Sequence, residues 1–275
     1  MNEICTTLEV SRSGFYDHTH KDRRARRRQD GVLAQEVREA FVQSRETYGT
    51  PRLRHELRHR GYPCGRRRIG RLMRQQGLHA LRKGRFIPRT TDSSHGRTVA
   101  PQRLLEAAPP TKPCQVWITD ITYIPTAEGW LFLAAEIDLF SRRVLGWAAH
   151  DTMETALVLE ALDQAVAQTP GRLAGLVHHS DQGSQYASAD FTAALADLAI
   201  DQSMSRRANC YDNATAESFW ATLKTECFNN VIPSTRAAAR SMIFDYIETF
   251  YNPVRRHSAL GFLSPVAFEN QFHNN

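Results

Sequence analysis

The chain has no apolar run approaching the ~20 residues a membrane-spanning helix requires. It also has no Gly/Ser-rich or other low-complexity tract and no internal repeat. The opening residues Met1-Asn2-Glu3-Ile4-Cys5 lack the basic-then-apolar pattern of a secretory leader. Cysteine is scarce and scattered: Cys5, Cys64, Cys114, Cys210 and Cys227 form no CxxC pair. An odd, dispersed set implies reduced thiols in a cytoplasmic protein, with neither a disulfide frame nor a zinc knuckle. There is no G-x-S-x-G elbow and no P-loop, so no covalent nucleophile or nucleotide-phosphate cradle is evident.

What the chain does have is charge, unevenly spread. Residues 1–112 hold 25 Lys/Arg against 11 Asp/Glu, a balance of +14, and residues 113–275 hold 10 against 18, a balance of −8. A basic front has the electrostatics to neutralise phosphates, and an acidic back can concentrate divalent cations. A solvated basic face without a partner is the competing reading.

The front half reads as helices. Val32, Leu33, Val37 and Phe41 recur at helical spacing through Gln43. Thr50 is placed to N-cap a second helix with Pro51 at its first position, running through Leu53 and Leu57 to Gly61. A third helix fits Arg66–Gln76, its apolar stripe being Ile69, Leu72 and Met73. Arg66, Arg67, Arg68, Arg71 and Arg74 then cover its other faces. A short helix, a turn and an arginine-covered second helix fit a helix-turn-helix that contacts DNA.

Residues 86–113 carry Pro88, Pro101, Pro109, Pro110 and Pro113, which is linker chemistry. The pattern then changes. Val116–Ile124, Trp130–Leu139 and Arg143–Ala149 read as three antiparallel-type strands, the first two joined by a Glu128-Gly129 turn. A helix over Thr155–Gln168, a short strand Gly175–Ser180, a helix marked by Phe191, Leu195 and Leu198, and a strand Ile200–Met204 follow. This is an α/β layer architecture.

Asp120 lies inside the first of these strands and Asp181 directly after the fourth. Either acid alone reads as readily as a turn or cap residue. Glu217 adds a third, on a helix opened by Asp212-Asn213 whose buried stripe is Phe219, Trp220 and Leu223. Glu217, Ala221 and Lys224 fall together on another, exposed face. Three carboxylates from different elements suit a site for two Mg2+ ions, which take oxygen ligands and support in-line displacement at phosphorus.

Four segments complete the reading. They are Val116-Trp-Ile-Thr-Asp120-Ile-Thr-Tyr-Ile124, His179-Ser-Asp181-Gln-Gly-Ser-Gln-Tyr186, Ser203 through Lys224, and Tyr251-Asn-Pro-Val-Arg-Arg-His257 through Pro265. In this order, with 35 residues between Asp181 and Glu217 and Lys224 seven after the Glu, the chain resembles the catalytic protein of a bacterial insertion-sequence family. That family belongs to the DDE transposase and retroviral integrase superfamily. Tyr48-Gly-Thr-Pro-Arg-Leu-Arg through Arg74 resembles the family's helical DNA-binding region.

The resemblance implies a ribonuclease-H-like mixed sheet flanked by helices, preceded by an all-α helix-turn-helix region. It implies DNA cleavage and strand transfer at Asp120, Asp181 and Glu217, holding two Mg2+ ions with Mn2+ able to substitute. The expected organisation is a basic DNA-binding region over 1–85, a linker over 86–113, the catalytic core over 114–232 and a helical extension over 233–275. The expected DNA contacts are Lys224, the five arginines of the third helix, and Arg206, Arg207, Arg255 and Arg256. Expected partners are double-stranded DNA, further copies of the chain, and an upstream-frame helix-turn-helix/coiled-coil product or its fusion, with no membrane. The expected location is the cytoplasm, on the nucleoid when bound.

His55-Glu-Leu-Arg-His59 spells the zinc-protease H-E-x-x-H, but position 65 is Gly and no Glu lies between Glu56 and Glu106, so a third ligand is missing. A non-catalytic DNA-binding regulator and a simple nuclease of the same fold are the two alternatives. His178, His179 and His257 are conceivable catalytic groups, with His179 better suited to positioning the strand end and His257 to contacting DNA or capping a helix.

Overall fold

The computed structural model describes residues 7, 11–81, 99–104, 108–169, 171, 173–206 and 214–274. The chain divides into two compact units, Met1–Leu81 and Arg82–Asn275.

Over its residues 11–81 the first unit carries α1 (Arg12–Gln43), α2 (Thr50–His59) and α3 (Arg66–Gln75). Leu33, Val37, Ala40 and Phe41 of α1, Tyr48, Leu53 and Leu57, and Ile69, Leu72 and Met73 of α3 are buried together as its core. Val32 departs from the expected stripe at 55% exposure, with Ala40 inside instead. Gly49, not Thr50, is the N-cap of α2, which puts Pro51 in the second position where its missing N–H still costs nothing. The third helix forms as its stripe requires, between the caps Gly65 and Gln76.

The second unit is built on a five-stranded sheet ordered β3-β2-β1-β4-β5. The strands are β1 (Val116–Thr126), β2 (Gly129–Asp138), β3 (Val144–His150), β4 (Val177–Ser180) and β5 (Asp201–Met204). The first three pair antiparallel, while β4 lies parallel to both β1 and β5. This order and polarity make the ribonuclease-H-like mixed sheet. One face packs on α4 (Thr155–Ala167) and α5 (Ala189–Asp197), with Trp117, Ala134, Leu145, Leu157, Leu162 and Phe191 at its centre. Gly146 lets the α4 backbone approach: a Cβ there would stand 2.2 Å from the Ala161 carbonyl oxygen.

The other face carries α6 (Ala214–Leu223) and α7 (Arg236–Phe244), each extended by a π-helical run, Lys224–Phe228 and Asp245–Tyr251. The chain ends in α8 (Pro265–His273). The side-chain amide of Asn252 pairs with both backbone groups of Val144 (3.0 and 2.9 Å). Glu269 of α8 takes Ser141 Oγ (2.6 Å) and Arg143 Nη1 (2.9 Å) at the β2–β3 hairpin. The residues after 232 are thus strapped onto the sheet.

Candidate active site

Asp120 and Asp181 are brought level by strand register. β1 and β4 run parallel with Ile118 opposite His179, and each acid stands two residues further along. Asp120 Oδ1 accepts from the Ile121 N–H at 2.9 Å, and Oδ2 accepts from Trp220 Nε1 at 3.0 Å. The indole therefore ties the helix that bears Glu217 to the acid on the central strand. Asp181 Oδ1 accepts from the Gly183 N–H at 2.9 Å, which fixes the turn after β4. A Cβ at Gly183 would meet this same oxygen at 2.9 Å, so the position suits glycine.

Burial, then the neighbouring charge of Asp181 and more weakly that of Glu217, push the Asp120 carboxyl up to about 8, against the hydrogen bonds from Ile121 and Trp220. Burial also raises Glu217. Glu217 is exposed on α6. Among the described residues no three acids, histidines or cysteines gather closely enough to hold a metal ion. The structure thus couples Asp120 to Asp181 and leaves Glu217 at longer range. Asp212 and Asn213, expected to open this helix, lie outside the described residues.

Lys224 is half-buried, whereas Glu217 and Ala221 are exposed. The α-helix ends at Leu223 and Lys224 begins the π-helical run. Its Nζ lies 4.9 Å from the centre of the Tyr123 ring. Burial lowers its ammonium to about 8, partly offset by the Asp120 charge. The solvated helix-end lysine is not what the structure contains.

The other expected contacts divide. Arg66, Arg67 and Arg74 are exposed on α3. Arg68 and Arg71 are tied to Asp30 of α1 at 2.8 and 2.6 Å, and the Arg71 hydrogen bond leads in holding that carboxyl below its usual value. Arg206 is exposed, and Arg207 lies outside the described residues. Arg256 donates to the Phe262 carbonyl at 2.8 Å.

Arg255 requires correction. It is 4% exposed and grips Glu226 with two N–H groups, each at 2.6 Å, while Tyr246 donates to the same carboxylate at 2.8 Å. It is a buried internal brace, in place of the expected exposed DNA contact.

The histidines are structural in their contacts. Fully buried His178 shares a hydrogen bond with Glu136 across β1 (3.0 Å), and buried His179 with Ser203 of β5 (2.9 Å). His257 precedes a 3-10 turn, Ser258–Leu260, and packs edge-on against Tyr251. In the H-E-x-x-H sequence, Glu56 is taken by Arg60 at 2.9 Å.

Sequence reasoning missed Trp220 as a ligand of Asp120, Tyr123 beneath Lys224, and Arg142, whose guanidinium donates to Thr215 Oγ1 in the first turn of α6. For Trp220 a signal existed: a buried indole N–H needs a partner.

A ribonuclease-H-like sheet with one acid within its central strand and a second just past the adjacent parallel strand defines the integrase-type polynucleotidyl transferases. Known proteins agree. The family described as Integrase core domain matches residues 110–210, a second Integrase core domain family matches 198–265, and an HTH-like domain matches 27–86. The chain is 42% identical over 271 residues to the insertion element IS600 uncharacterized 31 kDa protein of Shigella sonnei, covering 98% of each. It is 40% identical over 274 residues to transposase InsF for insertion sequence IS3A of Escherichia coli, covering 98% of this chain and 93% of the relative. Among solved structures, a simian T-cell lymphotropic virus intasome in complex with a PP2A regulatory subunit is similar with a TM-score of 0.49 at 17% identity, covering 78% of this chain and 70% of that one. The chain belongs to the IS3-family insertion-sequence transposases, and its activity is DNA transposition. No helix among the described residues is long and apolar enough to cross a membrane.

Proposed function

We propose that the chain cuts its element's DNA and joins it to a target by in-line phosphoryl transfer at Asp120, Asp181 and Glu217, with two Mg2+ ions held by these carboxylates and Mn2+ able to replace them. The observation that carries this reading is the pairing of Asp120 with Asp181 across β1 and β4, with α6 fastened to Asp120 through Trp220. The donor set fits magnesium, being carboxylate oxygen throughout. Burial leads in raising Asp120, and the repulsion from Asp181 that adds to it is what a divalent cation between the acids would relieve. When bound, such ions make an attacking oxygen more nucleophilic and stabilise the leaving one.

The chain's own groups orient the reactants. The Ile121 and Trp220 N–H groups fix the Asp120 carboxylate and the Gly183 N–H that of Asp181, which sets the orientation of both acids. Glu217 would complete the carboxylate set that holds the ions. Lys224 has only donors and repels cations, so it engages a DNA phosphate beside the scissile bond. Residues 1–85 supply further DNA contacts through Arg66, Arg67 and Arg74, with Arg206, Arg207 and Arg256 adding to them from the rest of the chain. Residues 86–113 link this region to the core over 114–232 and its extension over 233–275. The working form is an oligomer on the element ends and target in the cytoplasm, joined by the upstream-frame product.

The test is a strand-transfer assay on duplexes carrying the element's ends. Asp120→Asn, Asp181→Asn and Glu217→Gln each lose several orders of magnitude, and combining them adds little because they act as one unit. Near-normal Mg2+-dependent rates in any one variant would remove that residue from the site.

A further inference from the structure

At the end of the β1–β2 hairpin, three aromatic rings share one sheet face. Tyr123 stands opposite Phe132, and Trp130 stands opposite Pro125. Phe132 and Trp130 are two apart on one strand and so point the same way. Tyr123 and Trp130 meet at 4.8 Å with their planes 80° apart. Such an edge-to-face contact occupies one ring face of the four. Trp130 is nonetheless 51% exposed, a large outlay of aromatic surface.

Isolated exposed apolar residues need no explanation, but this one lies between cations. On one side Lys224 sits over the Tyr123 ring, and the Asp120 charge is felt at that lysine, so the ledge adjoins the candidate active site. On the other side the Arg236 guanidinium donates from Nε to the Trp130 carbonyl at 3.0 Å. The hairpin accommodates this guanidinium through Gly129: its φ of +105° suits glycine, and a Cβ would stand 3.2 Å from the Arg236 Nη2. Aromatic surface for a base and flanking positive charge for its phosphates are the two parts of a site for single-stranded nucleic acid.

We infer that Trp130, with Tyr123 beside it and Lys224 and Arg236 on its flanks, binds an unpaired nucleobase of the DNA substrate next to the reacting phosphate. The ligand is a base outside the duplex stack, since paired bases have their faces covered by neighbours. Stacking on aromatic rings reads no sequence, so the subsite serves any base. The inference rests on Asp120 and its partners being the reacting centre, but the stacking itself requires no metal.

It is therefore measured on the full chain in EDTA. The probes are a blunt duplex and the same duplex with a short single-stranded overhang carrying 5-iododeoxyuridine. Irradiation of the overhang complex should cross-link the iodinated base to Trp130 or Tyr123, as located by peptide mapping. Trp130→Ala should weaken overhang binding about ten- to a hundredfold and blunt-duplex binding less than about twofold, whereas Trp130→Phe should stay within about threefold of the parent. Equal loss on both probes, unchanged overhang affinity in Trp130→Ala, or cross-links confined to other elements would overturn the inference. So would a variant that turns an oligomer into a monomer without changing overhang affinity, since the ledge would then be a protein interface. Active Asp120→Asn protein would sink the catalytic reading and leave this measurement standing; failed stacking would leave the acids untouched.

Discussion

At the scale of single residues, the charge conflict around Asp120 has a thermodynamic signature. Burial and Asp181 raise this carboxyl from 3.8 to about 8. The folded chain thus binds a proton over that range which the unfolded chain has released, and the contribution to stability is complete below about pH 4 and lost as pH rises through 8. Lys224 works the other way. Its ammonium falls from 10.5 to about 8, chiefly by burial, so the folded state has shed a proton that the unfolded state keeps, and stability recovers between pH 8 and 10.5. Metal-free protein should therefore lose stability from pH 4 to 8. Asp120→Asn should flatten that limb, gaining about 1–3 kcal/mol relative to the parent at pH 8 once the site's partial exposure is allowed for. Denaturant unfolding in EDTA across this range checks it, and parallel curves for parent and variant would show that Asp120 is not the titrating group. The same carboxyl explains why Trp220 matters: its N–H, with that of Ile121, is a hydrogen bond opposing the upward shift.

At the scale of elements, α6 passes into a π-helical run at Lys224, and the run ends at Asn229 and Asn230, both left-handed (φ 45° and 63°), a conformation asparagine tolerates. Glu226 on this run meets Arg255 and Tyr246 in the interior. Removing one partner of a buried pair strands the other charge, so Arg255→Leu or Glu226→Met should each cost about 3–5 kcal/mol, and the double variant less than either. Urea midpoints of the three variants measure this, and additive losses would mean that the two side chains are not energetically coupled.

This pairing also marks where the sequence stops being legible. Strand alternation and the 3.6-residue stripe disclose β1 to β5 and α3 to α6 within a few residues, because each element buries a face that repeats. The three acids stand out because one sits inside an apolar strand, one directly follows a strand and one interrupts a largely apolar helix. Glu226 and Arg255 lie 29 residues apart with no periodic relation, so Arg255 reads as one more basic surface residue. The cap of α2 was misplaced by one for a simpler reason: Gly49 and Thr50 both serve as N-caps, and a proline is tolerated at either of the first two positions.

At the scale of the whole molecule, a basic front of +14 and an acidic remainder of −8 are two electrostatic tasks, but formal charge overstates what reaches DNA. Of the five arginines on α3, Arg68 and Arg71 are bound to Asp30 at 2.8 and 2.6 Å and hold α3 against α1. Arg66, Arg67 and Arg74 are exposed and are the ones placed to meet phosphates. The two groups should separate in a salt titration of DNA affinity on the full chain. Each phosphate contact contributes about 0.9 to the slope of log affinity against log salt through counterion release, so neutralising Arg66, Arg67 and Arg74 together to Gln should flatten the slope by about 2.7. Arg68→Gln with Arg71→Gln should instead lower the melting temperature of the helical unit, because Asp30 loses both partners, and should change the slope by less than about 1. If the first set left the slope unchanged while the second flattened it, the Asp30 pairs would have to open on DNA. The helix would then present to phosphates a different face from the one exposed in the free chain.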